Sequence, residues 1–295
     1  MSQRESRVDR RHKSCRLWTT DHGLWTGKNR GLWTVDYGLG TGKNRGLWTM
    51  DYGLKWIVLS VLLFVLSGCM PGEMKGEPLK LEKVSPWKGG ERSVYAIYSA
   101  KSKEEKIGWA KIRVEIKKVE EGKVINWKGE FFSPSKRVSV EVAMREKDLM
   151  PIWSKKTIKF SGEKSEVFAQ YLPEEVKIKL SSGEKKENVT VSVSGCIYEN
   201  ETLLFILRRL SFSKMLGREK PVSLLTMISQ IGQAAPVSLK VEKEKEKVKT
   251  PRGEFSCYKV ELSSSKEGKQ YAWYQDSPPH YLVKYQNSEA TYLLR

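Results

Sequence analysis

The side chains able to do covalent or acid–base chemistry are few and widely spaced. Four cysteines (Cys15, Cys69, Cys196 and Cys257) and three histidines (His12, His22 and His280) are scattered along 295 residues. Nucleophilic catalysis needs a hydroxyl or thiol, a base within reach and a third group to orient that base. No local signature of a Ser-His-Asp or Cys-His arrangement surrounds any of these residues. A structural zinc site needs four Cys or His ligands, and one downstream histidine with two stray thiols cannot build one. His280, inside Pro278-Pro279-His280, reads as a loop residue rather than a base. Carboxylate pairs such as Glu174 and Glu175 stand near lysines and read as solvated strand ends. No phosphate-cradling glycine loop or dinucleotide fingerprint occurs. The expectation is a non-enzyme with no metal, no cofactor and no catalytic residue.

Cys69 is the exception, because of what precedes it. Lys55 is followed by a nearly unbroken apolar run from Trp56 to Leu66. That run is well short of the ~20 residues a spanning helix needs, but it fits the ~7–15 residues of an export-signal core. A polytopic helical membrane protein is therefore excluded. Leu66-Ser67-Gly68-Cys69 then resembles the lipobox of bacterial lipoproteins. The resemblance implies cleavage between Gly68 and Cys69 and a diacylglycerol on the Cys69 thiol. It further implies an envelope protein, anchored through that lipid and facing the periplasm. By similarity to enterobacterial sorting rules, Met70 rather than Asp after the cysteine favours the outer membrane.

Upstream of Met50 the text repeats itself. Leu-Trp-Thr recurs around Trp18, Trp33 and Trp48, with a further copy at Trp25. The unit is shorter than the ~20–50 residues of packable solenoid repeats. An aromatic, basic repeat could stack on single-stranded nucleic acid; the plainer reading is translated upstream DNA, with Met50 the start. A start at Met1 would instead favour an uncleaved signal anchor. The organisation expected is a repeat segment at 1–49, a lipoprotein signal at 50–68, a flexible tether at 69–90 and one β-rich domain at 91–295. The formal charge of +18 is interspersed with many glutamates. Nucleic acid is therefore not expected as a partner, while anionic lipid heads or cell-wall polymers are compatible ones.

Period-2 alternation dominates the domain. Ile112, Val114 and Ile116 alternate with charged neighbours, as do Ile125, Trp127 and Phe131, and then Val138, Val140, Val142 and Met144. The Lys240 to Lys249 stretch, largely alternating Lys and Glu, reads as a solvated edge that resists edge-to-edge pairing. Gly253, two residues after Pro251, fits the end of a hairpin turn. One helix is predicted over Thr202 to Leu210, capped by Asn200, with a wide apolar stripe beside Arg208 and Arg209. A sheet of ten or so strands rarely stays flat. The fold expected is mostly β: an antiparallel meander curled into a half-barrel or barrel, with one short helix packed against it.

The segments Asn200 to Arg208, Thr250 to Val260, Trp273-Tyr274 and Pro279 to Tyr285 resemble an uncharacterised bacterial family of exported β-rich proteins, a domain of unknown function. The layout is more distantly similar to the lipoprotein carriers LolA and LolB, which enclose acyl chains in a concave apolar face. The function expected is binding of an apolar ligand or acyl chain in a concave sheet, with Trp127, Phe131, Trp273 and Tyr285 as candidate lining. The alternative is a structural or assembly partner of an envelope protein complex, with a self-filled core. An exported compartment permits a disulfide between Cys196 and Cys257. It would close a loop of about 60 residues and contribute on the order of 4 kcal/mol; two free thiols are the other reading.

Overall fold

The alternating segments form one sheet of 15 hydrogen-bonded strands, plus a separate two-stranded pair. The computed structural model describes residues 75–82, 85–102, 104–265 and 268–295. The repeat segment, the signal and Cys69 lie outside these residues. The chain enters through β1 (Lys75–Gly76). An antiparallel meander follows: β2 (Glu91–Ser99), β3 (Lys106–Val119), β4 (Gly122–Phe132), β5 (Lys136–Arg145), β6 (Pro151–Phe160), β7 (Glu163–Tyr171), β8 (Glu175–Ser182) and β9 (Lys185–Ser192). After β10 (Ser194–Gly195) and β11 (Ile197–Glu199), a helical segment crosses the concave side. The sheet resumes with β12 (Val222–Ile228), β13 (Gln233–Thr250), β14 (Gly253–Ser264), β15 (Gly268–Gln275), β16 (Leu282–Gln286) and β17 (Ala290–Leu294). β17 pairs with β2, joining the two runs, so β9 and β11 are the two ends of the sheet.

The meander's register sets the inner face. Val114, Trp127, Val142 and Ser154 stand opposite one another across β3 to β6, and all four are buried. The sheet curls until its two ends meet through side chains rather than through a backbone ladder. Val167, Ala169, Val176 and Ile178 near one end pack in one cluster with Ile197, Leu225 and Met227 at the other. Beyond Leu239, β13 pairs with β14 alone. The Lys/Glu stretch therefore does present an edge, as its alternation predicts, and the Thr250 to Gly253 turn closes its hairpin with Gly253 at φ +136°.

The helical segment differs from the predicted helix. It is one turn of α1 (Leu203–Ile206) between 3₁₀ turns at Asn200–Thr202 and Leu207–Arg209. Asn200 is not the cap: Glu199 holds that place, without a side-chain capping bond. An isolated helix this short is unstable in water. What fixes it is burial: Ile206 and Leu207 are 0% exposed, and burying such a side chain contributes roughly 1.5–3 kcal/mol. A second turn, α2 (Phe212–Met215), stacks Phe212 on Tyr258 and Tyr274, with centroids 5.2 and 5.1 Å away.

Within the stretch expected as a tether, 69–90, residues 75–82 and 85–90 are described and pack on the domain. β1 pairs in parallel with β10, where Gly76 and Gly195 cross so closely that a Cβ on Gly76 would lie 1.8 Å from the Cys196 carbonyl oxygen. Leu79 is buried and its amide donates to the Tyr198 hydroxyl at 3.1 Å. Trp87 is buried and stacks on Phe205 at 4.4 Å. Two aromatic and aliphatic anchors among the prolines and glycines are enough to turn this stretch into a strap across the helical segment.

Candidate functional site

Between the helical segment and the inner face lies a cavity of about 560 Å³. Its sheet wall carries Tyr95, Ile112, Trp127, Phe131, Tyr285 and Tyr292; its opposite wall carries Leu203, Leu204 and Phe205. Alternation on the strands aims the aromatics inward, and the burial of Ile206 and Leu207 turns the other face of the helical segment toward the space. Gly129 makes room for the Trp127 indole, whose Cη2 would be 2.5 Å from a Cβ there. The Trp127 Nε1 is buried with no hydrogen-bond acceptor among the described residues. Exposed Gln230, Ser288 and Glu289 mark the open side.

The inner end is polar and closed on itself. Arg208, 5% exposed, sends Nη1 to Glu91 Oε1 at 2.5 Å and Nη2 to Oε2 at 3.3 Å, and Nε to the Pro279 carbonyl at 3.3 Å. A bidentate guanidinium–carboxylate pair of this kind neutralises both charges in place. Tyr95 donates to the Leu282 carbonyl at 3.0 Å, and burial pushes its phenol up to about 12. Tyr292 is pushed up to about 12 by burial too, reinforced by Glu201 and Glu289. Neither phenol is an acid–base group near neutrality.

A second polar cluster lies where the ends of the sheet meet. Glu199, 1% exposed, accepts from Ser154 Oγ at 2.7 Å, from the Tyr171 hydroxyl and from Ser229 Oγ at 3.4 Å. Burial pushes its carboxyl up to about 7, against the hydrogen bonds from Tyr171 and Ser154. Beside it, Lys156 donates to Glu201 and, at 2.6 Å, to Gln230.

Three of the four candidate lining residues meet in the cavity: Trp127, Phe131 and Tyr285. Trp273 does not. It lies on the other face of the sheet with Val248, Cys257 and Val283, donating from Nε1 to Glu246 at 2.7 Å, with Lys284 4.2 Å above its ring. Its alternation with Ala272 and Tyr274, both in the inner core, carries that parity. The expected Cys196–Cys257 bridge is also corrected: both thiols are free. Cys257 belongs to that outer cluster whereas Cys196 packs against the inner core, so the sheet stands between them. Burial pushes the Cys257 thiol up to about 12 and raises that of Cys196, which leaves both poor nucleophiles. His280 is a loop residue, its Nδ1 2.8 Å from the Gln275 carbonyl oxygen. Among the described residues no cluster of His, Cys, Asp and Glu is arranged to hold a metal ion.

Sequence reading missed Glu91, Arg208 and Glu199. The signal available for Arg208 and Arg209 was two arginines ending an apolar helical stripe; in a core, such residues must find partners. Glu199 offered none beyond its place directly before that stripe.

No curated protein matches the chain. A solved structure described as a beta-barrel-like protein of domain of unknown function DUF1849 from Brucella abortus is similar at 8% identity and a TM-score of 0.43, over 69% of this chain and 94% of that one. A likeness at that level transfers neither residues nor activity. The family described as protein of unknown function (DUF3108) matches residues 94–291, from within β2 to within β17, and the chain belongs to it.

Proposed function

We propose that this is a non-catalytic, lipid-anchored protein of the bacterial envelope that binds an apolar ligand or an acyl chain beneath its helical segment. The observation that carries the reading is the cavity, walled by Trp127, Phe131, Tyr285 and Leu203 and open to solvent beside Ser288. Small-molecule sites are concave and about 300–1,000 Å³, and this one offers polar and apolar surface in about equal measure. The anchor is the Cys69 thiol, held after cleavage at Gly68, with the chain facing the periplasm from the outer membrane. More than one acyl chain on that residue gives durable attachment where one would not. Assembly with an envelope partner is the second reading, favoured by aromatics left on the outer face: Trp109 is 37% and Phe168 38% exposed.

One experiment addresses anchor and ligand together. The chain 69–295 with Cys69→Ser, placed behind a cleavable non-lipoprotein export signal and produced in a diderm host, is expected in the soluble periplasmic fraction. Its native mass spectrum should carry an added lipid mass that organic extraction removes. A processed chain that stays with the membrane would sink the anchor. A released chain with a clean apo mass, unchanged when lipids are offered, would sink the carrier and send the search to protein partners.

A further inference from the structure

We infer that the outer face of strands β3 to β9 docks on the anionic headgroups of a phospholipid bilayer. The inference rests on the reading above for the envelope address alone and does not involve the cavity. The strand register lays this face out in rows that run across the sheet. One row reads Trp109, Phe132, Arg137, Lys159, Lys164. Trp109 is exposed and stacks on Phe132 at 3.9 Å, and Arg137 sits over the Phe132 ring at 4.6 Å. The three cations that follow stand side by side, with no carboxylate between them in the row. Two rows along, Arg113 stands opposite Lys128, and the exposed Phe168 lies between Lys155 and Lys179.

Like charges directly opposite one another destabilise a sheet, and the carboxylates of this face do not offset them all. Glu130 takes Arg137, Glu141 takes Lys128, and Glu166 is shared by Lys155 and Lys164. Lys111, Arg113, Lys159, Lys179 and Lys186 have no ion pair among the described residues, against one such carboxylate in these rows, Glu115. The other half of the sheet differs. There Lys259 is matched to Glu246 and Lys269 to Glu261, each at 2.9 Å. The unpaired excess therefore belongs to one face rather than to the +18 chain at large.

The breadth of the field says what it fits. From β3 to β9 it covers six strand spacings, about 29 Å of curved sheet, which suits a surface rather than one small anion. A half-exposed tryptophan among lysines and arginines suits the membrane–water interface, and each cation near an anionic leaflet adds attraction within a Debye length. This gives to lipid the aromatics that the second reading gives to a protein partner. The chain also enters beside this face: β1 pairs with β10, which directly follows β9. Unaided, such a face holds weakly at physiological ionic strength. It orients a domain that is already attached, and is compatible with release of the Cys69→Ser chain.

The test offers that released 69–295 chain to phosphatidylcholine vesicles with and without added phosphatidylglycerol, and reads attachment by co-sedimentation. At low ionic strength the anionic vesicles should bind at least about tenfold more tightly. Salt at about 1 M, where the Debye length is about 3 Å, should abolish the difference. Lys159→Glu with Lys179→Glu should weaken attachment at least about tenfold. It should not lower the melting temperature, because Lys159→Glu sets a carboxylate between two cations. Lys243→Glu with Lys249→Glu makes the same change of net charge on the exposed β13 edge and should cost less than about threefold. Equal loss in the two double variants makes overall charge the cause and overturns the inference. Equal binding to both kinds of vesicle, or binding to neither, overturns it too. An anionic polysaccharide gel that retains the chain when vesicles do not gives the face to a cell-wall polymer, and the lipid assignment falls. None of these results touches the cavity, whose failure is read separately from the native mass spectrum.

Discussion

The same curled sheet is held in two different ways, under the helical segment and at the seam where its ends meet. Under the helical segment the filling is apolar: Ile206, Leu207 and Leu210 press against Val114, Val140, Val142, Val260 and their neighbours in the main core. At the seam where β7 and β8 approach β11 and β12, the apolar cluster is small and is completed by Glu199, Tyr171, Ser154 and Ser229. The difference teaches that closure by side chains alone does not require a uniform core. One region depends on shape and volume, and responds to lost methylenes. The other depends on a proton, and responds to pH.

The largest effect should come from the apolar region. Leu207→Ala removes a fully buried side chain from the middle of the plug and should cost about 2–5 kcal/mol, with the spread set by how far the site collapses. Urea titration of wild type and variant measures it. A loss below about 1 kcal/mol would mean that the plug is loosely packed and that the contrast between the regions fails.

The seam should show its character in a pH series. The Glu199 carboxyl is raised from its ordinary 4.5 to about 7 by burial. Below about pH 4.5 it is protonated both folded and unfolded, and its contribution is fully present. Between there and about pH 7 only the folded chain keeps the proton, so stability falls as pH rises, by on the order of 3 kcal/mol in all, and is level above. Glu199→Gln should flatten this part of the curve. Parallel curves for the two proteins would assign the titration elsewhere.

The smallest effect concerns the thiols. Because Cys196 and Cys257 are free and separated by the sheet, adding reductant should leave the melting temperature unchanged. A bridge would instead have contributed several kcal/mol through loop closure, so a clear drop on reduction would refute the free-thiol arrangement and tie the two regions together covalently.

How legible this was depended on the range of the interaction involved. Strand alternation is local, so the inward parity of Trp127 and Phe131 and the exposed Lys240 to Lys249 edge followed from neighbours two residues away. The inward aim of Tyr285 was not readable, since it shares the parity of the outer-face Val283 and the pairing of β15 with β16 shifts register. Trp273 was not, because being apolar and aromatic does not say which face of a strand it occupies when the opposite face has a cluster of its own. The helical segment was placed correctly but its cap was not, since Glu199 is taken up by partners from β6, β7 and the Ser229 turn. Those partners are 28 to 45 positions away in sequence. The Arg208–Glu91 pair spans 117 positions, and nothing in the local pattern of either residue encodes it. The strap was hidden by its composition: prolines and glycines look like a linker until Leu79 and Trp87 are given something to pack on.

That strap also sets a standoff. Were Cys69 to carry the proposed lipid, at most the stretch from there to Lys75 would be left to span the gap, because β1 is already fastened to β10. Fully extended, those peptide units reach about 20 Å. If Cys69 carries the proposed lipid, the domain would ride within about half a membrane's thickness of the bilayer, and a ligand leaving the membrane would have only a short gap to cross.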